Sequence, residues 1–109
     1  MPEPELFAKG FGIVKNTKIS HFTINNYSIN ETPIKRYSSY KYDVSITFSS
    51  DDVITKESLQ TLYGFNHLEN NINSSHGNAY ACTLDYIKEE KIDDHSVIFY
   101  YIGHAERIY

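Results

Sequence analysis

The carboxyl end of the chain, HAERIY at 104–109, combines side-chain types that can move protons and hold a phosphate group. An imidazole and a carboxylate can serve as general base and general acid, and a guanidinium can neutralise a phosphate. On a β-strand, His104 and Glu106 would share one face about 7 Å apart. If the chain is an enzyme, His104, Glu106 and Arg107 are the predicted catalytic residues. A terminal run of charged residues is also typical of a solvated tail.

The five histidines, at positions 21, 67, 76, 95 and 104, lack the spacing of metal ligands. None lies two or four residues from another, the separations at which one strand or helix face presents two imidazoles to one ion. The single cysteine, Cys82, falls at an inward position of a predicted strand, where a packed thiol is expected rather than a nucleophile. The sequence therefore predicts neither a metal site nor a cofactor.

The segment ISHFT at 19–23 resembles one half of the paired His-x-Thr motif of two-histidine phosphoesterases. In that chemistry each histidine lies beside a hydroxyl that binds the phosphate. The second half would fall at HSV, 95–97, where Val97 stands in place of the required hydroxyl residue. A small metal-free nuclease or phosphoesterase that uses these histidines or His104 is therefore retained as the alternative function.

Charge is distributed unevenly between the two halves of the chain. Residues 1–50 carry six basic and four acidic side chains, whereas residues 51–109 carry four basic and ten acidic ones. The net charge of −4 argues against a nucleic-acid partner, because phosphates attract basic proteins. An acidic surface formed by the second half instead favours a protein partner with a basic surface.

The predicted partner-binding residues surround the connection that precedes the last strand, where carboxylates and tyrosines are concentrated. They are Asp85, Tyr86, Glu89, Glu90, Asp93, Asp94 and Tyr100. Tyrosine is favoured in binding surfaces, and ten tyrosines exceed what a small core needs. A charged turn that is merely solvated explains the carboxylates equally well. The tyrosine-rich segment 37–42, which follows Lys35 and Arg36, is the second candidate for contacting a partner.

Alternating and clustered apolar residues predict five strands and one helix. The clearest strand is 40–49, YKYDVSITFS, in which every second side chain is apolar or aromatic. Further strands are predicted at 11–14, 19–24, 80–86 and 97–102. The last of these is apolar at every position, which predicts a central strand covered on both faces. A short helix is predicted from the N-cap Thr55 to Tyr63, with Gly64 in a left-handed C-cap.

The remaining segments are predicted to be a hairpin turn at 15–18, a polar loop at 25–37, an asparagine-rich loop at 66–78 and a charged turn at 88–94. Short connections and a lone helix favour an α+β fold, a mostly antiparallel sheet of about five strands with one short helix packed on a face. The 109 residues are expected to form a single domain, 1–109. The predicted core consists of Tyr42, Val44, Ile46, Phe48, Leu59, Leu62, Leu84, Val97 and Phe99.

Together these features favour an interaction protein over an enzyme. We expect a small protein-binding inhibitor of the toxin-immunity or phage anti-defence type, which covers the surface of a partner protein. A structural subunit of a larger assembly is a further alternative, and association into homo-oligomers is compatible with the sequence. No run of about 18 apolar residues is present, so neither a membrane span nor a membrane partner is expected. An acidic, proline-containing amino end and a single cysteine predict a cytoplasmic location.

Overall fold

Residues 3–33 and 39–108 are described by a computed structural model, in which six strands pair into one sheet. The strands are β1 (Lys18–Ile19), β2 (Phe22–Pro33), β3 (Ser39–Ser49), β4 (His67–Asn73), β5 (Ala79–Asp93) and β6 (Ser96–Arg107). Their order across the sheet is β1-β2-β3-β6-β5-β4, and neighbouring strands are antiparallel. The described helices are α1 (Pro4–Gly10), α2 (Lys56–Gln60) and a 3-10 helix (Tyr63–Phe65).

The two faces of the sheet differ in what covers them. We call the inner face the side that carries the buried residues Tyr42, Val44, Ile46 and Phe48 of β3. The alternate side chains of β3, among them Lys41 and Asp43, point to the opposite side, which we call the outer face. Helix α1 contacts both β2 and β4, which lie towards opposite edges of the sheet, so the sheet curls around the helix.

The predicted mostly antiparallel sheet is confirmed, but its described part contains six strands rather than about five. In place of the one predicted helix, the described residues form two short α-helices and a 3-10 helix. Residues 11–14 are not the predicted strand, because they form the turn and connection that follow α1. The hairpin between β1 and β2 reverses at Ser20 and His21, and not at 15–18. Helix α1 is not among the predicted elements, although Pro4 in its first turn is a typical helix start.

Strand β2 occupies most of the segment 25–37 that is predicted as a loop. Its side chains are mainly polar, and Tyr27 and Ile29 pack half-buried against the core. A bulge near the start of the strand shifts its alternation by one residue, which hides the strand period in the sequence. The remainder of the predicted loop, residues 34–38, lies outside the described part of the chain.

Strand β4 and the end of β5 lie where a loop and a turn are predicted. β4 falls within the predicted loop 66–78 and buries one side chain, Ile72. The predicted turn 88–94 is mostly strand, because β5 continues to Asp93 and the chain reverses in the two residues that follow. Two bulges break the alternation of β5, so a paired strand resembles a charged loop in the sequence.

Eight of the nine predicted core residues are buried, and the ninth, Leu59, is half-buried. Strand β6 lies between β3 and β5, as the apolar run 97–102 predicts for a central strand. It is not covered on both faces. Its inner-face side chains are buried: Val97, Phe99 and Tyr101. Its outer-face side chains are only half-buried: Ile98, Tyr100 and Ile102.

The predicted start of the second helix is confirmed, and its predicted end is wrong. Thr55 is the N-cap of α2, because its hydroxyl accepts a hydrogen bond from the backbone N–H of Ser58 (3.1 Å). The Ser58 hydroxyl in turn accepts one from the backbone N–H of Thr55 (2.7 Å). The α-helix ends at Gln60, and Gly64 lies within the 3-10 helix without the predicted positive φ.

An aromatic contact over a glycine fixes α1 to the sheet. The Phe7 ring stacks on the Tyr42 ring of β3, with ring centroids 4.2 Å apart. It also covers Gly103 of β6, where a β-carbon would lie 2.5 Å from Cζ of Phe7. Since two such carbon atoms cannot approach so closely, the absence of a side chain at Gly103 allows α1 to reach the sheet.

We predict that Gly103→Ala lowers the free energy of unfolding by about 1–3 kcal/mol, because the added methyl group must displace Phe7 within a filled core. Urea unfolding followed by circular dichroism measures the change. Gly64→Ala is the matched control, since no atom lies within 4 Å of a β-carbon placed at Gly64. Equal stability of the two variants would contradict the proposed contact.

Candidate functional site

The outer face of the sheet carries an apolar line along its central strand. Ile98, Tyr100 and Ile102 follow one another on this side of β6 and are half-buried between the neighbouring strands. Two side chains of β5 hold Tyr100 in place. The Lys88 ammonium lies 5.1 Å from the centroid of the Tyr100 ring. The Tyr100 hydroxyl donates a hydrogen bond to the carboxylate of Glu90 (3.4 Å). These two contacts therefore favour one orientation of the aromatic ring.

Carboxylates surround this apolar line. Cross-strand pairing places Asp43 and Asp85 on either side of Ile102, and it places Glu90 beside Ile98. In the described strands, six acidic side chains point to the outer face: Asp43, Glu69, Asp85, Glu90, Asp93 and Glu106. Three lysines point the same way: Lys18, Lys41 and Lys88. The outer face therefore carries an excess of negative charge.

A shallow pocket of about 320 Å³ opens beside the central tyrosine. Its walls include Ser28 of β2, Ser45 of β3 and Lys88 of β5, with Tyr100 at one side. The pocket gives the outer face a concave feature next to an aromatic ring, which is a geometry that can receive a protruding side chain.

The structure divides the predicted partner-binding residues between the two faces. Four lie on the outer face: Asp85, Glu90, Asp93 and Tyr100. A fifth, Asp94, lies in the turn after β5 and forms an ion pair with Lys91 (3.5 Å). The remaining two, Tyr86 and Glu89, point to the inner face, because a bulge after Tyr86 places Glu89 opposite Phe99.

The inward-pointing Glu89 joins the 3-10 helix to the sheet. Its Oε1 atom accepts hydrogen bonds from the hydroxyls of Tyr63 (3.0 Å) and Tyr86 (3.1 Å). The bond to Glu89 is the main cause that raises the pKa of Tyr63, whereas burial is the main cause that raises the pKa of Tyr86. Tyr86 and Glu89 therefore stabilise the local fold, a role that the charge pattern of the sequence does not reveal.

The structure does not assemble the predicted catalytic group at the carboxyl end. His104 and Glu106 share the outer face of β6, as strand alternation predicts, but Arg107 points to the other side. The Arg107 guanidinium donates a hydrogen bond to Oδ1 of Asn78 (3.2 Å), in the loop between β4 and β5. The cation is thus placed across the sheet from the imidazole and the carboxylate. Tyr109 lies outside the described residues.

His67 of β4 lies between two carboxylates at the edge of the outer face. Its Nδ1 atom is hydrogen-bonded to Asp85, and its Nε2 atom lies 3.4 Å from Oε1 of Glu69. The bond to Asp85 is the main cause that raises the pKa of His67, and Glu69 acts in the same direction. Within residues 3–33 and 39–108, no group of three or more His, Cys, Asp or Glu side chains could hold a metal ion.

Two other histidines converge at the end of the sheet. His21, in the turn between β1 and β2, and His95, in the turn between β5 and β6, line one polar pocket of about 290 Å³. We call it the two-histidine pocket. Its wall also includes Lys18, the hydroxyl residues Thr23, Ser49 and Ser96, and the carboxylate residues Asp51 and Asp52. Because the two histidines lie 74 positions apart in the sequence, only the folded structure reveals that they line the same pocket.

The second candidate region, 37–42, has little exposed aromatic surface among its described residues. Tyr42 is fully buried beneath Phe7, and Tyr40 is half-buried with its ring 6.0 Å from that of Tyr80. Lys35, Arg36 and Tyr37 lie outside the described residues, so the structure does not place them.

Comparison with known proteins identifies no family for this chain. No family model, no curated protein and no solved structure matches the chain. In the part of the chain that the structure describes, no helix is long and apolar enough to cross a membrane. The function is therefore inferred from the outer face and the pockets themselves.

We predict that His67 titrates above the ordinary histidine value and that Asp85→Asn lowers its pKa. Because the raised pKa belongs to the folded state, protonated His67 adds stability below the unfolded value of about 6.5. That contribution is lost as the pH rises through the folded pKa. NMR titration of the imidazole resonances measures both values, with His76 in the loop after β4 as the internal control. An unchanged His67 titration in Asp85→Asn would show that this contact does not form.

We predict that Cys82 is nearly inert to thiol reagents in the folded chain. Burial raises the pKa of its thiol to about 11, so little of the reactive thiolate exists near pH 8. Alkylation by iodoacetamide, followed by mass spectrometry, should be at least ~10-fold slower in buffer than in denaturing urea. Equal rates would place Cys82 at an accessible position and contradict its burial on the inner face.

Proposed function

We propose that the chain is a small protein-binding inhibitor of the toxin-immunity or phage anti-defence type. In this proposal the outer face of its sheet docks on a basic surface of a partner protein and covers that surface. The observation that carries the proposal is the apolar line Ile98, Tyr100 and Ile102 at the centre of an acidic face, where these side chains stay half-buried and no helix of the described residues packs over them.

The arrangement of this face supports binding to a protein rather than simple solvation. Protein interfaces commonly have an apolar or aromatic centre and a polar rim. Here the centre lies on β6, whose backbone is hydrogen-bonded to strands on both sides, and the carboxylates of Asp43, Asp85 and Glu90 lie around it. A ring such as Tyr100 on a rigid strand loses little conformational freedom when it is buried by a partner.

The charge of the outer face defines the chemistry of the partner. Six carboxylates against three lysines would attract a surface rich in Lys or Arg and would repel an acidic one. Such complementarity mainly accelerates association, and salt screens it beyond a Debye length of about 8 Å at physiological ionic strength. The apolar centre, in contrast, supplies contact energy that salt does not screen.

The histidine-based nuclease alternative has less support at the carboxyl end. That chemistry requires an acid, a base and a phosphate clamp on one surface, but Arg107 lies across the sheet from His104 and Glu106. No observation at this cluster favours catalysis over binding.

We predict that Tyr100→Ala strongly weakens binding of the partner. The immobilised chain is used to isolate partners from its native cells, and each candidate is then purified and its affinity measured. The substitution should cost about 2 kcal/mol or more, roughly 30-fold in affinity, because the ring would be a central contact. Tyr100→Phe is the matched control, since it keeps the ring and removes only the bond to Glu90.

A second variant separates charge from contact. Reversal of Asp43, Asp85 and Glu90 to Lys should lower the association rate by about 10-fold at low salt and much less at high salt. Glu5→Lys, an exposed change on α1, should leave the rate unaltered. A partner that binds Tyr100→Ala and the charge-reversed chain as tightly as the original would place the interface elsewhere. A partner with an acidic surface would contradict the proposal in the same way.

A further inference from the structure

We propose that the two-histidine pocket binds a phosphate group in its protonated form, either as inorganic phosphate or as a small phosphate ester. The pocket lies at the end of the sheet, where the turns that follow β1, β3 and β5 meet. It is separate from the apolar line at the centre of the outer face, so this inference does not depend on the protein-binding function.

Hydroxyl groups form one wall of the pocket. Thr23 of β2 pairs with Ser49 of β3, and Ser49 pairs with Ser96 of β6, so the three side chains form one cross-strand row. Neighbouring side chains in such a row are about 5 Å apart, which allows two of them to reach one tetrahedral anion. Each hydroxyl can donate a hydrogen bond to an anion oxygen.

The ring of His95 is held in a defined orientation. Its Nδ1 atom lies 3.2 Å from the backbone carbonyl oxygen of Ser50 and 3.1 Å from that of Asp52. Carbonyl oxygens can only accept hydrogen bonds, so Nδ1 carries a proton and donates it. The Nε2 atom is then the ring nitrogen that can meet a ligand, as an acceptor in the neutral ring and as a donor in the imidazolium. The Asp93 carboxylate further fixes this turn by accepting from the His95 backbone N–H (2.8 Å).

The charged groups of the pocket restrict the anion that it can hold. Lys18 and protonated histidines attract an anion, whereas the carboxylates of Asp51 and Asp52 repel one. A carboxylate can nevertheless accept a hydrogen bond from an anion that still carries a proton. Inorganic phosphate still carries at least one proton near neutral pH. A phosphate ester, whose second pKa is about 6, carries one in its monoanionic form, which is populated at slightly acidic pH. Sulfate is fully ionised and has only acceptors, so the same pocket should discriminate against it.

The test is an NMR titration of the histidine side chains of the full chain near pH 6.5, with sodium phosphate and with sodium sulfate. We expect phosphate to shift the resonances of His21 and His95 with saturation and a Kd on the order of 1 mM or tighter. Sulfate should bind at least ~10-fold more weakly, a difference of about 1.4 kcal/mol. His76, away from the pocket, is the internal control and should not respond.

Two variants assign the groups. His95→Gln should weaken phosphate binding by at least ~10-fold, whereas His76→Gln, its matched control, should not change it. Replacing Asp51 and Asp52 by Asn should raise the affinity for sulfate towards that for phosphate, because the carboxylates no longer repel it. Circular dichroism melting verifies that each variant is folded.

Glycerol 3-phosphate and glycerol distinguish the source of the phosphate group. Tighter binding of the ester than of inorganic phosphate indicates an ester ligand, and the reverse indicates free phosphate. Either result supports the site, provided that glycerol alone does not bind. Equal responses to phosphate and sulfate, or shifts that do not saturate, would overturn the proposal, because they would describe only a nonspecific effect of salt on exposed histidines.

Discussion

The lack of a side chain at Gly103 is the constraint on which the rest of the structure depends. Because Gly103 leaves space above the backbone of β6, the Phe7 ring can lie against this strand and stack on Tyr42. A second glycine acts similarly, since a β-carbon at Gly10 of α1 would lie 2.5 Å from Cδ1 of Ile72 on β4. The first contact holds α1 against β3 and β6, and the second holds it against β4. Since α1 also contacts β2, towards the other edge of the sheet, the sheet curls around the helix. The curl encloses the inner face and leaves the outer face open.

The secondary-structure elements that could be predicted are those whose sequence pattern is contained within the element itself. The alternation of β3 identifies a strand without knowledge of its neighbours, and the residue type of Thr55 identifies a helix start from the local sequence alone. β2, β4 and the end of β5 lack such a local pattern, and the reason is physical. β4 buries only Ile72, and bulges in β2 and β5 shift the faces of later residues. Pairing with neighbouring strands holds these segments in place, and pairing partners cannot be read from the segment itself.

The candidate site was harder to predict than the fold, because a one-residue change of register transfers a side chain to the opposite face. Arg107 follows Glu106 directly and is therefore separated from it by the sheet. A single bulge turns Glu89 inward, while Glu90 remains on the outer face beside Tyr100. The acidic character of the second half could be predicted from composition, but its division between the faces required the strand pairing.

The separation of the two faces also determines where function and stability can be changed independently. The large buried side chains point inward, so charges around Tyr100 on the outer face can change with little effect on packing. The two-histidine pocket differs, because the His95 imidazole that would meet a ligand also holds the backbone carbonyls of Ser50 and Asp52. At the pocket, the hydrogen bonds that order the turns are the same ones that orient the imidazole. A ligand bound there would therefore stabilise the folded chain as its concentration rises, since it binds a site that the unfolded chain lacks.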